Sequence, residues 1–163
     1  MKIYMRLIIY TLMIHCSLFI THCYAQQPTE EWVARYQRTI NSSGNRNFLE
    51  LDKLGNSYVV GEIYENLTSV DIVIIKYNSI GDSVWTRRYN SLNNAGDFPQ
   101  GMAVDSLGNA FITCYTGFNL GPFDVLTLKY SPNGTLLWAS RYAGSNNAND
   151  YINDIKLDLT GNI

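Results

Sequence analysis

An all-β chain made of small four-stranded antiparallel sheets is predicted by three observations. Trp32, Trp85 and Trp138 stand 53 residues apart, and other residues recur at fixed offsets from each of them. Each repeat carries four short strand-like runs separated by Gly, Asn and Asp turn chemistry. No stretch after Ala25 shows the i, i+3, i+4, i+7 apolar pattern of a helix. Four-stranded meanders stacked at a fixed sequence period are the blades of a β-propeller. The 163 residues hold about two and a half such blades, an incomplete ring.

Residues 1–25 read as a secretory leader preceding the repeats. Lys2 and Arg6 supply the basic start, Leu7 to Ile20 the apolar stretch, and Cys23-Tyr24-Ala25 the small-residue site, with cleavage expected after Ala25. The apolar stretch is about 14 residues and contains His15, short of the roughly 20 helical residues that span a bilayer. His15 and His22 precede the two leader cysteines, where a lipidated cysteine would follow a small residue.

The repeat region, residues 26–163, is expected to hold blade one near 48–89, blade two near 101–142 and the start of a third near 151–163. Arg35, Arg88 and Arg141 follow the tryptophans at offset three, and Tyr36, Tyr89 and Tyr142 at offset four. Asp52, Asp105 and Asp158 follow at offset twenty, then Gly55, Gly108 and Gly161, each before an Asn. Two copies extend far enough to show Asp71 and Asp124, Lys76 and Lys129 (each before a Tyr), and Gly81 and Gly134.

Strands are expected near 48–52, 57–62, 71–77 and 83–89, and again near 101–105, 110–115, 124–130 and 135–142. The D-x-x-G-N segments supply an Asp to cap local amides and a Gly for positive φ, so they read as tight hairpins. Asn78 to Gly81 and Ser131 to Gly134 do the same between third and fourth strands. Ile72-Val73-Ile74-Ile75 and Val125-Leu126-Thr127-Leu128 are continuous rather than alternating, which requires burial on both faces. In the fourth strand the period of two places Trp85, Arg87 and Tyr89 on one face and Thr86 with Arg88 on the other. The repeated Trp and Tyr are therefore expected between adjacent blades.

A meander sends alternate turns to opposite ends. The tight Gly turns should gather at one end, and the longer connectors 37–47, 64–70, 90–100, 116–123 and 143–151 at the other. Loops of this kind can carry function on a rigid scaffold, although plain solvated linkage is the simpler reading of any one of them.

Composition narrows the chemistry. Removing the leader leaves ten basic against fourteen acidic residues, a formal charge of −4 without Lys/Arg clusters, which argues against nucleic acid. Both histidines and two of the three cysteines lie in the leader, so residues 26–163 hold no His and a single thiol, Cys114. A Ser/His/Asp triad, a Cys/His dyad, a His-based zinc site and an intramolecular disulfide are thereby excluded within these residues. Cys114, in the run Ala110 to Cys114, reads as a small buried hydrophobe.

No catalytic, cofactor-binding or metal residue is assigned. Arg88 with Asp105 or Asp124 suggests an acid/base or anion site, yet a residue recurring in every blade reads better as an ion pair or turn cap. Asp97 and Asp150, both twelve residues after a Trp, are weighed for calcium and supply too few of the six to eight oxygen ligands. Glu50 and Glu62 occur in one copy only. The segments starting at Asn41, Asn66 and Asn133 match the glycosylation acceptor pattern.

Together, W-x-x-R-Y, D-x-x-G-N-x-[YF], D-x-x-x-x-K-Y and G-x-x-x-W resemble the bacterial β-propeller repeat of the SBBP type, from Trp32 to the last residue. Cys114 replaces Gly61 between copies. The resemblance implies a large exported bacterial protein with many blades, of which this sequence is an N-terminal piece. It frames Trp32 to Tyr36 as a lone fourth strand that closes the ring, and it leaves a third blade begun inside a hairpin. A piece this short should expose apolar blade faces. The expected function is a non-catalytic, secreted or surface scaffold or recognition module for an unidentified glycan or protein, with no membrane span after the leader and no cofactor. The alternative is part of a carbohydrate-active enzyme whose carboxylate pair lies in other blades.

Overall fold

The structure, a computed structural model, describes residues 32–33, 46–65, 69–118, 121–145 and 148–163. The leader, Arg35, Tyr36 and most of the 37–47 connector lie outside the described residues.

Eight strands form: β1 (Asn47–Leu51), β2 (Ser57–Glu65), β3 (Ser69–Tyr77), β4 (Ser83–Tyr89), β5 (Gly96–Val104), β6 (Ala110–Phe118), β7 (Asp124–Tyr130) and β8 (Leu136–Tyr142). They make two four-stranded antiparallel meanders, β1-β2-β3-β4 and β5-β6-β7-β8. The described residues contain no α-helix; a 3₁₀ turn lies at Leu92–Asn94. Both sheets keep one register. Lys76 pairs with Trp85 as Lys129 pairs with Trp138, and each sheet has its β-bulge at the following Tyr, Tyr77 or Tyr130. The two tryptophans therefore occupy equivalent positions in two blades of one all-β propeller architecture. The ring is not closed.

The blades stack face to face. Tyr58, Val60, Ile72, Ile74 and Trp85 from the first sheet and Met102, Ala110, Ile112, Cys114, Leu126, Leu128 and Tyr130 from the second form a single buried cluster. On the reverse face of the first sheet, Val73, Ile75 and Tyr77 make a second cluster with Val59 and Ile63. The positions of Val73, Ile75, Tyr77 and Val59 are, 53 residues on, Leu126, Leu128, Tyr130 and Ile112 of the first cluster, while that of Ile63 is Thr116. Burial on both faces explains why β3 is a continuous apolar run, since neither side of the pleat meets water. Cys114 sits wholly buried in this interface with its thiol against the Leu126 carbonyl, 3.4 Å. At the matching Gly61 an added Cβ would lie 2.6 Å from the amide oxygen of the exposed Asn47, whose side chain would have to turn aside.

Several sequence-based boundaries are corrected. The connector at 90–100 ends five residues early, because β5 starts at Gly96 rather than near 101. Gly96 and Pro99 suggest a loop, but the sheet accepts them by shifting register between Gly96 and Phe98 and again between Pro99 and Gly101. A bulge lets a strand carry a proline that cannot donate to the ladder. Likewise β2 runs on to Glu65, β3 starts at Ser69 and β6 reaches Phe118, so the 64–70 and 116–123 loops are shorter than expected. Residues 151–163 form no strand. They are held by other means: Tyr115 Oη bonds the backbone of Ile152 in both directions, and Ile155 is buried over Gly101. Nor do Trp32 and Val33 belong to a strand. Trp32 packs on the turn at Gly81 and lies 5.9 Å from the Tyr77 ring.

Candidate functional site

The recurrent aspartates are turn caps. Asp52 Oδ1 accepts from the amides of Leu54 (2.9 Å) and Asn56 (3.0 Å), and Oδ2 from Asn56 Nδ2 (2.7 Å). Asp105 repeats this with Leu107 and Asn109, and Asp158 with Thr160 and Asn162. Gly55, Gly108 and Gly161 close the turns at φ of 77°, 82° and 84°, a region open to glycine. Burial pushes the Asp52 and Asp105 carboxyls up, but the amide donors outweigh it and leave both below the ordinary value. The exposed Asp158 is held at about 2 by Thr160 and Asn162.

These turns and those after β3 share one end, since Lys76 Nζ lies 3.9 Å from Asp52 Oδ2. There the first blade reaches over the second. Tyr58 Oη donates to the Gly108 carbonyl (2.9 Å), Lys76 Nζ (3.3 Å) and Trp85 Nε1 (2.9 Å) to that of Pro132, and Arg87 Nε to that of Gly134 (2.7 Å). The Trp85 indole lies between the Tyr58 and Tyr130 rings, at 6.0 and 6.4 Å, and is 7% exposed. Gly134 cradles it, for a Cβ there would sit 2.8 Å from the indole. Trp138 has only Phe111 as a ring partner, at 6.2 Å, and is 38% exposed, so the expectation that it fills a gap between blades does not hold among the described residues. Tyr142 is exposed as well, while Tyr89 packs half-buried on the core.

The arginines pair within their own blades. Arg88 binds Asp71 and Arg141 binds Asp124, each through Nε and an Nη to the same carboxylate oxygen, Oδ2. This corrects the pairing of Arg88 with Asp105 or Asp124, because the antiparallel register of β3 and β4 brings Asp71 alongside Arg88. Lys76 and Lys129 lie over the Tyr58 and Phe111 rings at 4.8 and 4.7 Å.

At the opposite end the longer connectors border a cleft of about 650 Å³ between the two blades. Tyr89 comes to it from β4, Ser91, Leu92 and Asn93 from the β4–β5 connector, Thr116 from β6, Pro122 from the next loop, Asp124 from β7 and Arg141 from β8. Asn93 holds a left-handed conformation, φ 63°, uncommon outside glycine and tolerated best by Asn and Asp. Beneath the connector Asp97 is fully buried. Its Oδ2 accepts the Ser91 amide (2.8 Å), the Thr116 side chain adds a hydrogen bond, and Oδ1 has no hydrogen-bond partner. Burial pushes this carboxyl up, and nearby Asp71 adds to the shift. Asp150 makes the matching bond, accepting the Gly144 amide at 2.6 Å. The two carboxylates weighed for calcium thus each fasten their own connector, and the described residues contain no group of three His, Cys, Asp or Glu placed to share an ion. Glu62 is buried and Glu50 exposed on β1.

Sequence reasoning missed the cleft, Tyr58 and Arg87. The cleft is lined by connectors that differ between copies, and residues 58 and 87 become Phe111 and Ser140 in the second repeat, so neither recurs.

No helix among the described residues is long and apolar enough to cross a membrane. No curated protein matches the chain. The beta-propeller repeat family SBBP matches residues 84–122, from β4 of the first blade into the loop after β6 of the second, and so spans Trp85, Arg88, Tyr89, Asp105 and Gly108 across the seam between blades. A repeat of this kind points to a scaffold or recognition module.

Proposed function

We propose that the chain is the recognition part of a non-catalytic, exported β-propeller. The observation that carries this is the cleft at the connector end, bordered by Tyr89 of the first sheet, the β4–β5 connector and the second sheet with its loops, and lined by mixed polar and apolar groups, the usual make-up of a binding pocket. The only ionised lining groups among the described residues, Asp124 and Arg141, are bound to each other, which supports binding over acid/base chemistry. Export rests on the leader-like residues 1–25, and a bacterial source on the repeat resemblance. Phe111 and Trp138 occupy the positions that in the first sheet hold the next blade, which supports further blades beyond the second.

The test is binding of the full chain to polysaccharide and protein fractions of the producing cell's envelope. Binding should fall in a cleft variant, Asn93→Gly, and persist in Leu107→Ser at the tight-turn end. Binding indifferent to Asn93 would refute the placement, and release of shortened polysaccharide would refute a non-catalytic role.

A further inference from the structure

The cleft between the blades has a more specific chemistry than its shape alone conveys. Its charges cancel locally: Asp124 and Arg141 are ion-paired, and no other ionised side chain among the described residues lines it. A ligand with a net charge would find no counter-charge there, and burying it would cost more than it returns. What remains is a close-set group of neutral donors and acceptors. Asn93 offers both in one amide, Ser91 and Thr116 offer hydroxyl oxygens as acceptors, and the paired Asp124 and Arg141 keep an oxygen and guanidinium hydrogens uncommitted, since both bonds between them go to Oδ2.

These groups are also held in place. The Thr116 hydroxyl is hydrogen-bonded to the buried Asp97, so its orientation is fixed from beneath and its oxygen is left as an acceptor. Ser91 is tied twice, by its amide to Asp97 and by its hydroxyl to the Ala95 carbonyl (3.2 Å). Polar groups fixed in this way bind without the entropy cost of being ordered on contact. Tyr89, Leu92 and Pro122 add an apolar wall beside them. Adjacent donors and acceptors beside apolar and aromatic surface complement a molecule whose edges are hydroxyls and whose faces are C–H. A volume of 650 Å³ lies within the range of about 300 to 1,000 Å³ typical of small-ligand pockets.

We infer that this cleft binds a neutral saccharide of one or two rings. The inference rests on the recognition reading above and names its ligand class. It is tested by saturation-transfer NMR on the full chain with cellobiose, maltose and N,N′-diacetylchitobiose, alongside inorganic phosphate, choline and tetra-alanine. At least one disaccharide should receive saturation at its ring protons. Its affinity should fall about tenfold or more in Asn93→Gly, which keeps the left-handed backbone and removes only the amide side chain. The paired change Asp124→Asn with Arg141→Gln, which removes both charges together and leaves no lone buried ion, should weaken binding to a similar extent. Unchanged circular dichroism and thermal midpoint in these variants separate lost contacts from lost fold. Binding of phosphate, choline or tetra-alanine in this cleft, with none of the disaccharides, would overturn the saccharide inference and leave the recognition reading standing. Failure of all six probes to bind would overturn both, and saccharide binding untouched by either variant would overturn the assignment to this cleft.

Discussion

Replacing Trp85 with alanine removes the largest side chain in the seam between the blades. The indole is 7% exposed and fills the space between Tyr58, Tyr130 and the Gly134 turn. Truncating a buried aromatic to alanine costs about 3 to 5 kcal/mol, the spread reflecting how far the site can collapse. Collapse is limited here, because the indole rests on sheet backbone and turn. The lost Nε1 bond to Pro132 adds about 1 kcal/mol at most, since Lys76 still donates to that carbonyl. The total, about 4 kcal/mol, is a large share of the roughly 5 to 15 kcal/mol that holds an ordinary domain together. Trp138→Ala is the internal control. The same repeat position with 38% exposure and one ring contact should cost no more than about 2 kcal/mol. Urea unfolding of the full chain followed by far-UV circular dichroism gives both values, with Trp85→Phe as a milder variant should the alanine form not fold. A cost below about 1 kcal/mol at Trp85, or one no larger than at Trp138, would refute the packing account.

Two further outcomes follow from the same structure. Gly134→Ala should cost clearly more than Gly161→Ala in urea unfolding: both glycines have positive φ, worth about 1 kcal/mol, but only at 134 does a Cβ meet an indole, whereas nothing lies within 4 Å at 161. Equal costs would mean that the turn and the indole are not in contact. Asp97→Asn should remove a pH dependence. The folded Asp97 pKa is raised above the unfolded 3.8, so its stabilising protonated form is fully present below 3.8 and is lost as pH rises through the folded value. The variant, which keeps an acceptor for the Ser91 amide, should match the native chain at low pH and exceed it in stability at neutral pH; a difference constant across that window would count against an ionising buried carboxyl.

The repeat made the architecture readable. A residue recurring at the same offset should meet the same surroundings, so Trp85, the Asp52 and Asp105 turns and the two-sided burial of β3 could all be placed from the sequence; β7, expected to match β3, is buried on one face and only half-buried at Val125, Thr127 and Lys129 on the other. What recurs only in spirit was harder to place. Gly96 to Gln100 carries a glycine and a proline, both weak strand formers, and only the sheet's capacity to bulge turns it into the start of β5. Arg88 was given distant partners because spacing along the chain does not reveal register, whereas the ladder between β3 and β4 sets Asp71 beside it. The cleft was out of reach for a related reason. Its groups come from three connectors and four strands that approach one another only after both sheets have formed, and Asn93 and Thr116 stand out in no pattern of their own.

Among the described residues, the hydrogen-bond acceptors that join the two blades at the tight-turn end are peptide oxygens, those of Gly108, Pro132, Asn133 and Gly134. A peptide oxygen is supplied by any amino acid, provided the hairpin bends the same way. The receiving side of the joint is therefore almost blind to residue identity, as Asn78 and Ser131 show by opening equivalent hairpins with different side chains. A duplicated gene segment encoding one such unit would fit its neighbour at once, before any compensating substitution. Arrays of this type can thus lengthen or shorten by whole units, while the connectors drift toward new ligands.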